Sequence, residues 1–163
     1  MSSYLPEDDL FSLITHGNLT SVDLIVYNPD GHVLVGMRNN RPAQHSWFVP
    51  GGIIQKSEHP LEALKRISLR EFGVIPTSPS FFALARHLYD DNFRGTPGIS
   101  TSYLVLAFEC HLSNEELSPD DQHERLLWRS PEELLLDPDV HPNTKAYFEQ
   151  VASDDIIVFR NSM

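Results

Sequence analysis

A carboxylate set into the apolar face of a helix is the feature that most constrains this chain. Residues 58 to 73 carry helical spacing, and Gly73 stands where that helix should stop. At about 100° per residue, Leu61, Leu64, Ile67, Ser68 and Phe72 share one broad face that should point at a core. Glu71 falls inside it, whereas Glu58, Glu62, Lys65 and Arg70 lie elsewhere, toward solvent. A buried carboxylate is costly unless something pairs with it or binds it. Two partners meet that demand: a neighbouring Arg, or a hard divalent cation, which prefers carboxylate oxygen. Just upstream, Pro50-Gly51-Gly52 lets the backbone turn tightly and expose carbonyls or amides to a ligand.

Strand and helix signals alternate around this segment. "PEDDLFSLITHG" reads as a short first helix with acids in its first turn and Gly17 as the stop. "SVDLIVYNPDGHVLVGMR" is a hairpin about Asn28-Pro29-Asp30-Gly31, and "SWFVPGG" a brief strand. "FFALARHLYDD" is a strand running into a polar loop, and "SYLVLAFECHL" has the length of a central strand covered on both faces. "SPDDQHE" is a loop, "RLLWRS" a strand, and "SPEELLL" a helix opened by a capping box of Ser130 and Glu133. "PNTKAYFEQVA" predicts a last helix; the tail "DDIIVFRNSM" fits a strand, an interface segment or a disordered end equally. The expectation is an α/β (α+β) fold, a mixed β-sheet sandwiched between α-helices, in one domain over residues 1–163.

A formal net charge of −11 argues against bulk attraction to nucleic acid or an anionic membrane. An anionic ligand would therefore need a local cluster of Arg and His, or a divalent metal. The single cysteine, Cys110, excludes an internal disulfide, suits a reducing compartment and reads as a packing residue. No apolar stretch approaches membrane-spanning length, and the N-terminus lacks the apolar region of a secretory signal, so a cytoplasmic protein is expected.

The segment from Gly52 to Val74 resembles the Nudix box, whose usual pattern is G-x5-E-x7-R-E-U-x-E-E-x-G-U, with U a bulky aliphatic residue. Gly52, Glu58, Arg66, Glu71, Gly73 and Val74 fall at matching positions. Ile67 and Arg70 stand where the pattern has glutamates, and Ser68 at its first aliphatic position. Standard members gather metals on those glutamates and attack phosphorus with metal-activated water. One branch, the GDP-mannose mannosyl hydrolases, carries a trimmed box. The segments "VDLIV", "GMRNNRPAQHSWFVPGG", "HLYDDNFRGT", "SYLVLAFE", "PDDQHE" and "VHPNTKAYF" are similar to that branch over most of the chain.

That resemblance implies attack by water at the anomeric carbon, releasing GDP and a free hexose with inversion. It implies Mg²⁺, with Mn²⁺ as substitute, held by the Gly51 carbonyl, the Glu71 carboxylate and the Gln122 side chain, with diphosphate oxygens completing the shell. His123, in an acidic loop, becomes the candidate general base, instead of a merely exposed loop histidine. His87 would donate to the departing diphosphate; otherwise it is a half-buried strand histidine with a backbone partner. Arg38 and Tyr103 suit phosphate oxygens, where the plainer readings are a surface Arg and a core Tyr. Asp23, in a strand otherwise of Val22, Leu24, Ile25 and Val26, would grip sugar hydroxyls; the plainer reading is an edge-strand acid facing water. Tyr4 and Leu5 would reach a guanine, across the interface of an expected homodimer. Arg66 should brace the helix by pairing with a carboxylate, and Glu58 should orient the glycine loop. Arg41 and Gln44 share the family segment without an assigned role.

One departure bears on efficiency. The branch has an Arg directly after the two glycines, and this chain has Ile53. Its loss predicts a slower enzyme, compensation by Arg38 or Arg94, or a changed leaving group. Two other functions stand beside the expected one: a conventional pyrophosphatase releasing GMP and a sugar 1-phosphate, and a nucleotide-sugar-binding module without turnover.

Overall fold

The structure, a computed structural model, describes residues 5–118, 123–149 and 154–158, those at 123, 124 and 158 by their backbone. The elements in chain order are α1 (Glu7–His16), β1 (Leu19–Tyr27), β2 (Val33–Arg38), β3 (Trp47–Phe48), β4 (Gly51–Ile53), α2 (Pro60–Phe72), β5 (Thr77–Tyr89), β6 (Thr101–His111), β7 (His123–Arg129), α3 (Pro131–Leu136), α4 (Pro142–Lys145) and β8 (Ile156–Val158). They build one mixed sheet in the order β3-β2-β1-β6-β5-β8, with β4 also pairing β1 and β7 pairing β2. β1 and β6 run parallel, and the remaining pairs are antiparallel.

Alternation along the strands feeds two apolar layers. Val22, Leu24 and Val26 of β1 join Phe108 and Cys110 of β6 beneath Ala63, Leu64, Ile67 and Phe72 of α2. The opposite face sends Ile25, Val105, Ala107, Ala83 and Ala85 against Leu134, Val140 and Tyr147. The helices therefore lie on both faces of the sheet, as expected, and Cys110 is the packing residue its pattern implied.

The predicted helix boundaries shift where local chemistry decides them. α2 starts at Pro60, because His59 caps it, its Nδ1 accepting the Leu61 N–H at 3.2 Å. Gly73 ends it in the left-handed region at φ 78°, where a side chain would be strained. The capping box of Ser130 and Glu133 forms as read. The last helix is only Pro142–Lys145; the Tyr147 and Phe148 N–H groups bond three residues back, to Thr144 and Lys145. The tail contributes β8, an edge strand on Ala83–Ala85.

The two glycines after Pro50 do not form the tight turn expected of them. They are extended strand β4, and neither has positive φ. Space explains them instead. A Cβ on Gly51 would collide with the Asp23 carboxylate and lie 2.8 Å from the Val22 carbonyl oxygen, and one on Gly52 would lie 3.0 Å from Ile67 Cδ1. β4 is thus pressed between β1 and α2.

Candidate active site

The Leu24 N–H donates to the Pro50 carbonyl and the Ile54 N–H to the Thr20 carbonyl. This places Val22 and Gly52 as the hydrogen-bonded pair and Asp23 and Gly51 as the non-bonded one. The N–H and carbonyl of Gly51 consequently point away from β1. The N–H reaches Glu71 Oε2 at 3.3 Å, so the Gly51 carbonyl and the Glu71 carboxylate serve the same side of β4. Glu71 is 3% exposed and its Oε1 lies 3.2 Å from Arg70 Nη2. A buried carboxylate beside an outward backbone carbonyl suits a hard divalent ion. Among the described residues no group of three His, Cys, Asp or Glu could enclose a metal.

Arg66 braces this corner. Its Nε and Nη2 fork onto the two Glu58 oxygens at 2.7 and 2.8 Å, and Nη2 also donates to the Ile53 carbonyl at 2.9 Å. Glu58 accepts the Gln55 N–H at 2.9 Å as well, and the Arg66 hydrogen bonds hold its carboxyl below the ordinary 4.5. Glu58 therefore does not face solvent as the helical pattern suggested; its side chain is 14% exposed, enclosed by the Arg66 fork. Arg70 departs likewise, folding onto Glu71.

On the other face of the sheet stands a polar cluster. Asp23 lies on interior strand β1, not on an edge facing water, and accepts a 2.7 Å hydrogen bond from the Tyr147 hydroxyl on Oδ2. His87 Nε2 is 3.3 Å from the same hydroxyl, and its Nδ1 is 3.9 Å from Asp23 Oδ2. Burial raises the Asp23 carboxyl above 3.8, against the pull of His87, Tyr147 and Arg38, and raises the Tyr147 phenol well above 10. Burial also lowers His87 from 6.5, opposed by Asp23, so its ring is neutral at pH 7. With the Tyr147 proton on Asp23, the bond to His87 requires an Nε2–H tautomer donating to the phenol oxygen.

Arg38 ends β2, shares a cavity with Tyr103 and lies 5.5 Å from the Phe48 ring centroid. Burial raises the Tyr103 phenol and Arg38 counters it. Phe48 stacks on His141, whose pKa falls to about 4, through burial first and then through the nearness of two other titrating groups, His87 and Arg38. Tyr89, at 5.3 Å from the His141 ring, is pushed up to about 12 by burial. The Asn143 amide nitrogen is buried with no well-formed hydrogen bond, close enough to Tyr89 to oppose that shift.

Two openings meet here. A cleft of about 510 Å³ is lined by Arg41, Gln44, His45, Tyr89, Asp91 and His141 among others. A cavity of about 150 Å³ beside it brings Arg38, Arg41 and Tyr103 together with Ile53, Leu10 and Ile14. Ile53 thus shares this cavity with two arginines as well as with aliphatic side chains.

Of the residues singled out in sequence, Asp23 and His87 meet directly, Arg38 meets Tyr103, and Gly51 meets Glu71. Leu5 is 52% exposed just before α1. Tyr4 and Gln122 lie outside the described residues, as does the His123 side chain; the His123 backbone pairs with Arg38. Arg94, the other cation named beside Ile53, donates to Asp8 at 2.6 Å and covers the Phe11 ring. Tyr147, Tyr89, His141 and Asn143 were not anticipated. His141 directly before Pro142 was the available signal, since both are helix-start residues and His is polar in an apolar setting.

The NUDIX domain family model matches residues 17–151. The chain is 37% identical over 147 residues to the low-salt glycan biosynthesis protein Agl8 of Haloferax volcanii, covering 89% of each. It superimposes on a MutT NUDIX hydrolase from Burkholderia pseudomallei with a TM-score of 0.68 at 22% identity, over 84% of this chain and 100% of that one. A MutT protein from Methanosarcina mazei Go1 gives 0.68 at 18%, over 80% and 90%. The sheet, the brace of Glu58 and Arg66 and these matches agree that the chain belongs to the NUDIX domain family, the Nudix hydrolases.

Proposed function

We propose that this Nudix hydrolase cleaves a GDP-hexose, GDP-mannose before GDP-glucose, to GDP and free hexose by water attack at the anomeric carbon with inversion. The observation that carries this reading is what fills the two missing carboxylate positions. Ile67 is fully buried in the core, and Arg70 is a cation turned onto Glu71. A multi-metal cluster that activates water at phosphorus is therefore short of ligands on α2. Glu71, the Gly51 carbonyl and Gln122 would hold Mg²⁺, which when bound offsets the charge of the diphosphate leaving group. Arg38 and Tyr103, which line one cavity, orient the diphosphate oxygens. Asp23, fixed by Tyr147 and next to His87, accepts from sugar hydroxyls. His123, beside Arg38 in register, is the base for the water. Agl8 is named for glycan biosynthesis, which agrees with a substrate carrying an activated sugar. A homodimer in which Tyr4 and Leu5 meet the guanine, and a single domain over 1–163, complete the reading.

Incubation with GDP-mannose and Mg²⁺ in ¹⁸O-labelled water tests it. Label in free mannose, with GDP as co-product, is expected. Label in phosphate with GMP formed would instead identify a pyrophosphatase. Ile53, an uncharged residue at the cavity of Arg38 and Tyr103, favours one further reading, a nucleotide-sugar-binding module; tight binding without any product would establish that instead.

A further inference from the structure

His141 is a polar ring in an aromatic setting, and the proposed chemistry gives it no task. Its Nδ1 accepts the Asn143 N–H at 3.1 Å, which caps α4. Asn or Ser would make that cap at least as well, so capping alone does not call for an imidazole. The ring is held by its neighbours: Phe48 stacks on it at 4.6 Å between centroids, and Tyr89 stands at 5.3 Å. Burial keeps it neutral at pH 7, with a pKa of about 4. Because Nδ1 is an acceptor, the single proton of the neutral ring sits on Nε2. Nε2 has no hydrogen-bond partner among the described residues, and the opening that the ring lines is the cleft of about 510 Å³.

That cleft suits an uncharged polyol. Its charged lining sets one guanidinium, Arg41, already 3.2 Å from Asp91, against two carboxylates, Asp90 and Asp91. A diphosphate would be repelled there, whereas hydroxyls find acceptors in the acids and in Gln44, and a donor in His141. The cleft also continues the polar cluster. His87, which meets Asp23, and Tyr89, which lines the cleft, stand two apart on β5 and so share a face, roughly 7 Å apart along the strand. That separation is comparable to a pyranose ring with its hydroxyls. We propose that His141 is a specificity-determining residue for the hexose, its Nε2–H donating to one sugar hydroxyl in this cleft while Asp23 accepts from another. This rests on the reading that the protein cleaves a GDP-hexose.

The test is steady-state hydrolysis of GDP-mannose, with GDP as competitive inhibitor, for the wild type, His141→Asn, His141→Ser and His141→Gln. Asn and Ser both keep a cap for α4 but fall short of the Nε2 position, so a fold defect in one leaves the comparison intact. Each should lower kcat/KM for GDP-mannose about two- to tenfold, the range of one neutral hydrogen bond, and leave the Ki of GDP as it is. Gln extends an amide N–H toward the Nε2 position and gives up the cap, so His141→Gln should recover part of that loss while losing stability to urea. Unchanged kcat/KM in the Asn and Ser variants overturns the inference alone. So does a Ki for GDP that weakens in step, or a His141→Gln loss equal to theirs, either of which assigns the effect to packing. A wild type that releases no GDP from GDP-mannose overturns the reading beneath, and the inference with it.

Discussion

Replacing Tyr147 with Phe removes one oxygen atom and isolates the interaction that holds Asp23. The Tyr147 hydroxyl donates to Asp23 Oδ2 at 2.7 Å, and the Asp23 side chain is only 16% exposed, so water cannot freely take the vacated place. A hydrogen bond to a charged group contributes about 1.5–3 kcal/mol, and a neutral one about half as much. Tyr147→Phe should therefore lower unfolding free energy by about 1.5–3 kcal/mol at pH 7. Its pH dependence carries the sharper test. Burial already raises the folded Asp23 carboxyl above 3.8, and the Tyr147 hydrogen bond pulls it back down. Without the hydroxyl the folded value rises further. A raised carboxyl destabilises above its folded pKa, and the penalty disappears once both states are protonated. The deficit of the variant should accordingly be largest near pH 7 and shrink as pH falls through the folded value toward 3.8. Urea denaturation across that range measures it. An Asp23→Asn background removes the charge, so the same Tyr147→Phe change should there cost about half as much. A deficit that is constant with pH and unaltered by Asp23→Asn would refute the view that the phenol supports an ionised carboxylate.

Two other expectations follow from neighbouring contacts. Glu58 has its pKa held below 4.5 by the Arg66 fork, so that brace stabilises fully above 4.5 and is lost as pH falls through the folded value. Glu58→Gln should cost about 1–3 kcal/mol at pH 7, and its stability should fall less steeply than the wild type below pH 5; parallel urea-derived profiles would contradict this. Ile53→Arg places a cation beside Arg38 and Tyr103 at the cavity. Turnover of GDP-mannose should rise roughly ten- to a thousandfold if one charged contact to the diphosphate is what the chain lacks; steady-state kinetics showing no gain would mean that another group supplies that charge.

Much of the scaffold was readable because local rules and global fold agree along most of the chain. The period of α2, its Gly73 stop, the Asn28–Gly31 turn and the Ser130 capping box all depend on neighbours within a few residues. The misreadings share a cause. Glu58 seemed a solvent residue because a helical wheel ends at the helix, whereas Glu58 precedes α2 and turns back onto Arg66 eight residues later. The glycines after Pro50 were read as a turn because a sequence displays conformational freedom but not the proximity of Val22, Asp23 and Ile67. The last helix was overextended because its spacing continues past Lys145, while the backbone tightens at Tyr147.

The candidate site follows the same logic with a sharper division. Three of the residues that sequence picked out break a local pattern: Asp23 among β-branched and aliphatic neighbours, Glu71 on an apolar face, and His87 in a strand with Ala83, Leu84, Ala85 and Leu88. Such violations are visible because they are local, and burial makes each of them expensive unless answered. The groups that answer them obey their own local patterns and so attract no notice. Tyr147 looks like an aromatic on a helix, yet it meets Asp23 across 124 positions and His87 across 60. Arg70 looks like a solvent-facing helical cation, yet it lies on Glu71. A sequence therefore announces where a charge must be satisfied, while the choice between a metal, an arginine and a phenol is made by packing between distant segments. For Glu71 the described answer is the Arg70 guanidinium on one oxygen and the Gly51 N–H on the other, which only the packing of β4 against α2 brings together.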